Sequence, residues 1–346
     1  MILGTGGTAC VHYIKGKFSA STDCLVLKKQ KNINMKFLWY QILSNIGAID
    51  DLGFWGMGLR HIQKDFFNNM LAYWPDRKQQ ENIINFLDSK TSQLSKTIAA
   101  DKKLIELLKE KRTALINHVV TKGLNPKAKM RDSGIKWIGK VLEEWEVKKL
   151  KYSCLINKKT LGEETSNQLQ INYLDISNVN NMGSIVSTDE LYFEDAPSRA
   201  RRVPEQKDTI ISTVRTYLKA IAYLDKVPLN LIVSTGFAVL HPNNKTMPKY
   251  LFYMTSSENF IQKVIADSTG VAYPAINPSD LGQIKIFLPP YSEQIQISEY
   301  LDKATSKIDQ TIQNIEKKIE LLEEYKKSLI HHVVTGKVDV RDISVW

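Results

Sequence analysis

The sequence has few cysteines and no long apolar run. Its three cysteines, Cys10, Cys24 and Cys154, form no Cys-x-x-Cys pair, and no histidine lies near them in zinc-ligand spacing. A disulfide framework or a zinc site is therefore not expected, which favours a reducing compartment. No stretch reaches the roughly 18 apolar residues of a membrane span, and the first residues lack the pattern of a signal peptide. We predict a cytoplasmic protein without membrane contact.

The sequence also lacks the common motifs of catalytic sites. No phosphate-binding Gly-x-x-x-x-Gly-Lys-[Ser/Thr] loop occurs, and the early Gly4–Thr8 run is better explained as a turn beside a strand. The Asn-Pro-Pro-aromatic motif of amino-methyl transfer is missing, because Asn125-Pro126 is followed by Lys127. His332 at the end of a predicted helix favours packing or helix-dipole stabilisation over metal binding. We therefore expect a binding protein with no catalytic site, metal or cofactor of its own.

Basic residues outnumber acidic ones. The 346 residues include 47 Lys and Arg against 37 Asp and Glu, a formal net charge of +10. Such an excess favours a polyanionic partner through long-range attraction and counterion release. Many soluble proteins are mildly basic, so the charge alone leaves the partner open.

A gap-free internal repeat defines the organisation of the chain. Residues 75–121 align with residues 289–335 at a constant offset of 214, with 21 identities in 47 positions. The matching runs include Ile-Glu-Leu-Leu and His-Val-Val-Thr. Two unrelated amphipathic helices would match in apolar class rather than in identity, so the repeat indicates a duplication.

Each copy of the repeat predicts one long helix. Apolar residues in both copies advance by alternating three and four residues, which is the seam of a coiled coil. Two such seams in one chain can bury each other, and we predict an antiparallel intramolecular pair. The polar seam residues Asp101, Arg112 and Lys326 either fix the register or lie solvated at the edge of the seam.

The segments before the two helices repeat more faintly and have strand character. Ile2–Thr8 resembles Ile210–Thr216, and Ser21–Leu27 resembles Ser234–Leu240. β-Branched runs bounded by Gly, Pro and Asn are typical of strands. The predicted fold class is α+β: two mixed α/β domains separated by two long helices, with an internal pseudo-twofold repeat. Trp137 and Trp145 are expected to anchor the start of the second domain.

Several segments resemble the specificity (S) subunits of type I restriction-modification systems. Lys129–Tyr152, which reads KMRDSGIKWIGKVLEEWEVKKLKY, is similar to the entry into their second target-recognition domain. The stretch from Ser268 to Pro290 is similar to the end of such a domain, and the helix ending in HHVVTGK resembles the spacer helix that follows. The resemblance covers nearly the whole chain.

This resemblance implies a domain order and a set of partners. It implies two target-recognition domains that each read half of a bipartite double-stranded DNA site, docked on methyltransferase (modification) and restriction subunits. Those partners would use S-adenosylmethionine, ATP and Mg. The implied segments are 1–75 (a partial first recognition domain), 76–121 (first spacer helix), 122–144 (linker), 145–289 (second recognition domain), 290–336 (second spacer helix) and 337–346 (tail).

The first recognition domain departs from the second in length. Met1 aligns near position 209 of the second copy, so the counterpart of residues 145–208 is not found in the first. We expect exposed strand edges in residues 1–75, together with the unburied apolar residues Phe54, Trp55, Phe66 and Phe67. A separate chain that supplies the missing half-domain is a further expected partner.

The candidate DNA contacts lie in the second recognition domain. They are Arg199, Arg201, Arg202, Lys207, Thr213, Arg215, Tyr217, Lys219, Ser268, Thr269, Tyr273 and Asn277. Arginine can pair with guanine through two hydrogen bonds, whereas any Lys or Arg can neutralise phosphate. Thr213, Arg215 and Tyr217 alternate along an apparent strand and are expected to share one face. The alternatives are a solvated basic surface with buried tyrosines and, for the whole chain, a coiled-coil scaffold that binds only protein.

Overall fold

The computed structural model describes residues 1–29, 33–56, 60–70, 72–135 and 139–341. They form two compact units, of which the first combines Met1–Glu106 with Thr311–Trp346 and the second is Leu107–Gln310. Both units mix helices with small sheets, which confirms the predicted α+β class. Trp137 lies outside the described residues.

The first unit starts with a three-stranded antiparallel sheet. Its elements are β1 (Ile2–Gly4), β2 (Val11–His12), β3 (Cys24–Val26), α1 (Met35–Ser44), α2 (Ile46–Gly53), β4 (Phe54–Trp55), β5 (His61–Ile62), α3 (Lys64–Asn68) and, up to Glu106, the long helix α4 (Arg77–Lys122), whose remainder belongs to the second unit. Strand β1 lies between β2 and β3, so Leu3 pairs with Val11 on one side and with Leu25 on the other. Leu3 is fully buried in a small core with residues of α1 and α2.

The prediction of unburied aromatic residues in the first unit is only partly right. Trp55 is 75% exposed, but Phe54 is 3% exposed because it packs into the same core as Leu3. Phe66 and Phe67 are half-buried. The small sheet therefore has a core of its own, which the alignment with the second copy did not reveal.

The second unit contains two four-stranded sheets. Its strands are β6 (Met130–Asp132), β7 (Lys140–Leu142), β8 (Glu146–Lys149), β9 (Cys154–Ile156), β10 (Gln170–Leu174), β11 (Asp189–Tyr192), β12 (Ala200–Arg202), β13 (Thr209–Ser212), β14 (Ile221–Tyr223), β15 (Leu231–Ser234), β16 (Phe237–Pro242) and β17 (Lys285–Leu288). Its helices are α5 (Pro248–Thr255), α6 (Glu258–Asp267), α7 (Pro278–Gln283) and, up to Gln310, the long α8 (Tyr291–Val334), whose remainder belongs to the first unit. The strand orders are β11-β10-β15-β12 and β14-β13-β16-β9.

Alternation along the central strands gives this unit its layers. Ile210 of β13 faces a core shared with β10 and β15, whereas Ile211 faces a second core shared with α5 and α6. Because successive side chains of a strand point to opposite faces, each apolar run of β13 and β16 fills two cores. Trp145 is 1% exposed in the second core, which confirms its predicted role as a packing anchor.

The long helices run antiparallel where they meet. In the first unit Lys318 forms an ion pair with Asp101, and Lys326 donates to Ser95 Oγ at 2.8 Å. In the second unit Arg112 Nε lies 2.9 Å from Asp309. Residue numbers rise on one helix as they fall on the other, which confirms the predicted pairing. Asp101, Arg112 and Lys326 thus have partners on the facing helix. This favours the interpretation that they fix the register of the helix pair over the alternative that they lie solvated at its edge.

The internal repeat extends to side-chain contacts. In the first unit the Tyr40 hydroxyl donates to Asp88 at 2.8 Å, and Lys36 forms an ion pair with the same carboxylate. In the second unit Tyr253 donates to Asp302 at 2.7 Å. Each tyrosine lies on a short helix, α1 or α5, and each aspartate is the twelfth residue of a long helix, α4 or α8. The duplication therefore preserved one docking contact twice.

Candidate nucleic-acid interface

Two predicted segments of the second unit lie against each other. These segments are residues 213–219, after β13, and residues 268–277, after α6. Ile276 N donates to Thr213 O, and Arg215 N donates to Pro274 O at 2.8 Å. The Thr216 and Ser268 hydroxyls lie 3.0 Å apart. Backbone and side-chain hydrogen bonds thus fix two loops that are about 50 residues apart in sequence.

These loops expose one basic and several apolar side chains. The Arg215 guanidinium lies 4.7 Å from the centroid of the Tyr273 ring. Tyr273 is 61% exposed, Tyr217 52%, Leu218 42% and Val271 fully exposed. We call these five residues the loop patch. Thr269 and Asn277 are exposed in the same loop, so the patch offers a cation, aromatic faces and polar groups to one partner.

The expected alternation of Thr213, Arg215 and Tyr217 along a strand is wrong. Strand β13 ends at Ser212, and Thr213 is 4% exposed, with its hydroxyl donating to Gly236 O. Arg215 has a left-handed backbone (φ 52°) and precedes a 3-10 turn over Thr216–Leu218. The turn carries Arg215 and Tyr217 out to solvent and leaves Thr213 in the interior.

Lys219 and Ser268 support the loops from within. Lys219 Nζ lies 2.8 Å from Glu258 at the start of α6. Burial alone would raise the pKa of Glu258, but hydrogen bonds from Lys219 and Gln262 and the charge of Lys219 together hold that pKa below its ordinary value. Ser268 Oγ donates to Val264 O at 2.7 Å. Both side chains therefore hold the loop geometry.

Arg199 belongs to a separate network beside the loop patch. Its guanidinium lies 2.9 Å from Asp175, and its Nε donates to the Tyr173 hydroxyl at 3.1 Å. Burial opposes ionisation of Asp175, yet hydrogen bonds from the Tyr173 hydroxyl and the Ser177 backbone N–H, together with the Arg199 charge, keep its pKa below the ordinary value. The turn at residues 235–236 connects the two regions, because Thr235 N donates to Arg199 O and Gly236 O accepts from Thr213 N.

Arg201 and Arg202 lie on β12 in different surroundings. The Arg201 guanidinium stacks 4.6 Å from the Phe193 ring centroid. Arg202 Nη1 donates to Thr160, whereas its Nε has no hydrogen-bond partner in the part of the chain that the structure describes. Burial lowers the pKa of Arg202. The run of arginines is thus not one continuous basic surface.

Lys207 is separated from the loop patch. It precedes β13, at the end opposite Arg215, and Lys207 N donates to Leu224 O. Nearby, Glu205 pairs with Lys158 and Lys159, whose hydrogen bonds and charges lower its pKa, the bond from Lys159 contributing most. The Lys207 side chain is exposed in this second region, where acidic and basic residues are mixed.

Sequence reasoning missed two exposed apolar residues, Leu218 and Val271, and the turn at residues 235–236. A signal for that turn was present, since the tripeptide Ser-Thr-Gly occurs at both 234–236 and 268–270. The structure brings both tripeptides against the segment after β13. The apolar residues gave no such signal, because exposure depends on the folded loops.

The described residues contain no group of three or more His, Cys, Asp or Glu side chains that could hold a metal ion. Among the helices in the described ranges, none is long and apolar enough to cross a membrane.

Comparison with known proteins identifies the family. A family model described as the type I restriction modification DNA specificity domain matches residues 142–321, which include the loop patch and most of α8. The chain belongs to this family. The resemblance drawn from its sequence is thereby confirmed.

Sequence similarity to individual members of the family extends beyond residues 142–321. The chain is 26% identical over 296 residues to the type I restriction enzyme MjaVIII specificity subunit of Methanocaldococcus jannaschii, covering 84% of this chain and 67% of the relative. It is 24% identical to the EcoKI specificity subunit of Escherichia coli, covering 58% of this chain and 44% of that one. The chain therefore spans about half to two thirds of the length of these relatives.

A solved structure shares the fold. It comes from a study titled "Structural basis underlying complex assembly and conformational transition of the type I R-M system". The TM-score is 0.67 at 16% identity, with 92% of this chain and 75% of that chain covered. At this identity the likeness shows the fold alone.

Proposed function

We propose that this chain is the DNA-reading specificity subunit of a type I restriction-modification complex. The stacking of exposed Arg215 on exposed Tyr273 carries the proposal. Stacking orients a guanidinium without neutralising it, which leaves its donors available for a guanine edge or a phosphate. The family assignment and the net charge of +10 support a DNA ligand.

We further propose that the chain itself is not catalytic. Modification subunits docked on it would use S-adenosylmethionine to methylate adenine, and restriction subunits would use ATP and Mg to cleave DNA. The second recognition domain would read one half of a bipartite site. These roles belong to the whole complex, of which this chain would supply the sequence choice.

Matched substitutions at Arg215 and Lys207 test base reading against phosphate contact. Both residues have positive φ, 52° and 72°, and Asn tolerates that backbone better than most residues. Arg215→Asn should cost about 1–3 kcal/mol on a duplex selected from a random pool and far less on a shuffled duplex. Lys207→Asn should weaken both duplexes alike and lower the salt slope by about one. Fluorescence anisotropy over a range of salt concentrations measures the affinities of both variants and of the unaltered chain for each duplex.

The same titrations separate the competing functions. Equal losses for both variants on both duplexes would refute base reading by Arg215. Binding that never distinguishes the selected duplex from the shuffled one would favour the alternative function, a coiled-coil scaffold for protein partners.

A further inference from the structure

The first unit contains an open groove where α8 ends beside the start of α4. The groove has a volume of about 190 Å³, and its lining includes Tyr73, Gln79, Ile83, Val333, Gly336 and Val340. An engineered apolar cavity of about 150 Å³ accepts benzene. The groove is therefore large enough for an aromatic side chain.

The internal repeat identifies the equivalent place in the second unit, where it is filled. At the offset of 214, Gln79 corresponds to Glu293 and Tyr73 to Phe287. There Trp145 Nε1 donates to Glu293 at 2.9 Å, and the Trp145 ring centroid lies 6.3 Å from that of Phe287.

The surroundings of the glycines that follow the two long helices also differ between the units. Gly123 and Gly336 both have left-handed backbones, with φ 66° and 76°. A Cβ on Gly123 would lie 2.8 Å from Leu142 and 3.3 Å from Trp145. A Cβ on Gly336 would have no atom within 4 Å. The covering layer of the second unit thus has no counterpart among the described residues around Gly336.

The two units also differ in the strand pairing next to this place. In the second unit β17 pairs with β8, the segment that directly follows Trp145. The counterpart of β17 ends in Tyr73 and Trp74, and no strand pairs with these two residues in the described part of the first unit. Tyr73 is 53% exposed, whereas Phe287 is fully buried. An open edge beside a groove is suited to a peptide that adds a strand.

We propose that this groove binds a segment of a second polypeptide that is built like Val141–Lys149. Such a segment has two apolar residues, a tryptophan three positions later and a following extended strand. Its indole would enter the groove and donate to Gln79, and its strand would pair along Tyr73–Trp74. A second copy of this chain is not the occupant, because its Trp145 is 1% exposed within its own unit.

A synthetic peptide of residues 139–152 is the direct probe. The fluorescently labelled peptide should bind the full chain saturably with one site, and a Trp145→Ala peptide should bind more than about tenfold more weakly, as for other buried aromatic anchors. In the chain, Tyr73→Ser should weaken binding. Gln79→Glu should tighten it several-fold, since a carboxylate accepts the indole N–H more strongly than an amide.

The matched control for Gln79→Glu is Gln93→Glu, which adds the same charge at an exposed position of α4 outside the groove. Equal tightening by both variants would make the effect general attraction and overturn the proposal. Equal affinity for the Trp145→Ala peptide, or no effect of Tyr73→Ser, would do the same. So would binding seen only after removal of residues 342–346, which would make the chain's own tail the occupant. No DNA is present, so failure here leaves the proposed DNA reading separately testable.

Discussion

Among the described residues of the second unit, three of the four non-glycine residues with a left-handed backbone are basic, and the fourth is Asn157. Lys207, Arg215 and Lys219 all have positive φ, although such angles cost non-glycine residues about 1–2 kcal/mol each. Neighbouring hydrogen bonds stabilise these positions, as between Arg215 N and Pro274 O. Strain of this kind concentrates at binding loops because it fixes a side chain where regular structure would not.

Cys154 gives a prediction at the scale of one residue. Burial, reinforced by the negative charge of Asp208, raises the pKa of its thiol to about 12. Since the thiolate is the reactive form, Cys154 should resist a disulfide reagent such as dithionitrobenzoate at neutral pH. Exposed Cys10 and half-buried Cys24 should react.

The control for this measurement is the same reaction in guanidinium, where all three thiols should react. Three fast thiols in the native protein would contradict the buried environment of Cys154 and the packing of β9 on β16.

At the scale of elements, the two copies use the same tyrosine to dock a short helix on a long one. Tyr40→Phe and Tyr253→Phe should each lower the free energy of unfolding of their unit by about 1–3 kcal/mol, because each leaves a carboxylate without one of its donors. Urea titration followed by hydrogen exchange in α1 and α5 measures each cost separately. Tyr325→Phe, on an exposed face of α8, is the control and should change little.

If one substitution lowers the free energy of unfolding and the other does not, the repeated contact does not stabilise both copies. This result would leave apolar burial around α1 or α5 as the main cause of docking.

The antiparallel helix pair predicts a crosslink within one chain. With Cys10 and Cys24 changed to Ser, Ser95→Cys and Lys326→Cys should be joined by a short bis-maleimide, because Lys326 Nζ lies 2.8 Å from Ser95 Oγ. Pairing Ser95→Cys with Gln313→Cys should fail, since 13 helical residues span about 20 Å. Electrophoresis distinguishes an internal crosslink from a dimer, and a crosslink found only in dimers would contradict the intramolecular pair.

At the scale of the whole molecule, the two units differ in how much sheet they contain. Strand β13 is buried along all four residues between β14 and β16, whereas β3 is only half-buried at the edge of a sheet that has two- and three-residue strands. Slow amide exchange requires opening of such hydrogen-bonded structure. Amides of Ile2–Val26 should therefore exchange faster than those of Ile210–Val239 in native protein.

Mass spectrometry of peptides from both regions measures this difference. Equal, strong protection in both regions of the monomeric chain would show that the small sheet of the first unit is as stable as the larger sheets of the second.

The sequence by itself determined the repeat, the long helices and the family. A gap-free offset and a seven-residue apolar pattern are local properties, and a helix pair with matching seams has few ways to bury them. The sequence also placed Arg215 and Tyr273 among the candidates. The contact between these two residues could not be predicted, because loops distant in sequence meet only when the sheets are stacked.

Tertiary structure decided which candidate side chains reach solvent. Thr213 faces inward and Lys219 is held by Glu258, although both looked like surface contacts in the sequence. A left-handed residue and a 3-10 turn ended the strand early, and neither leaves a periodic pattern. The open groove beside Gly336 could not be predicted from the sequence either. The space around a glycine depends on which residues pack over it, and that is decided by the folded chain.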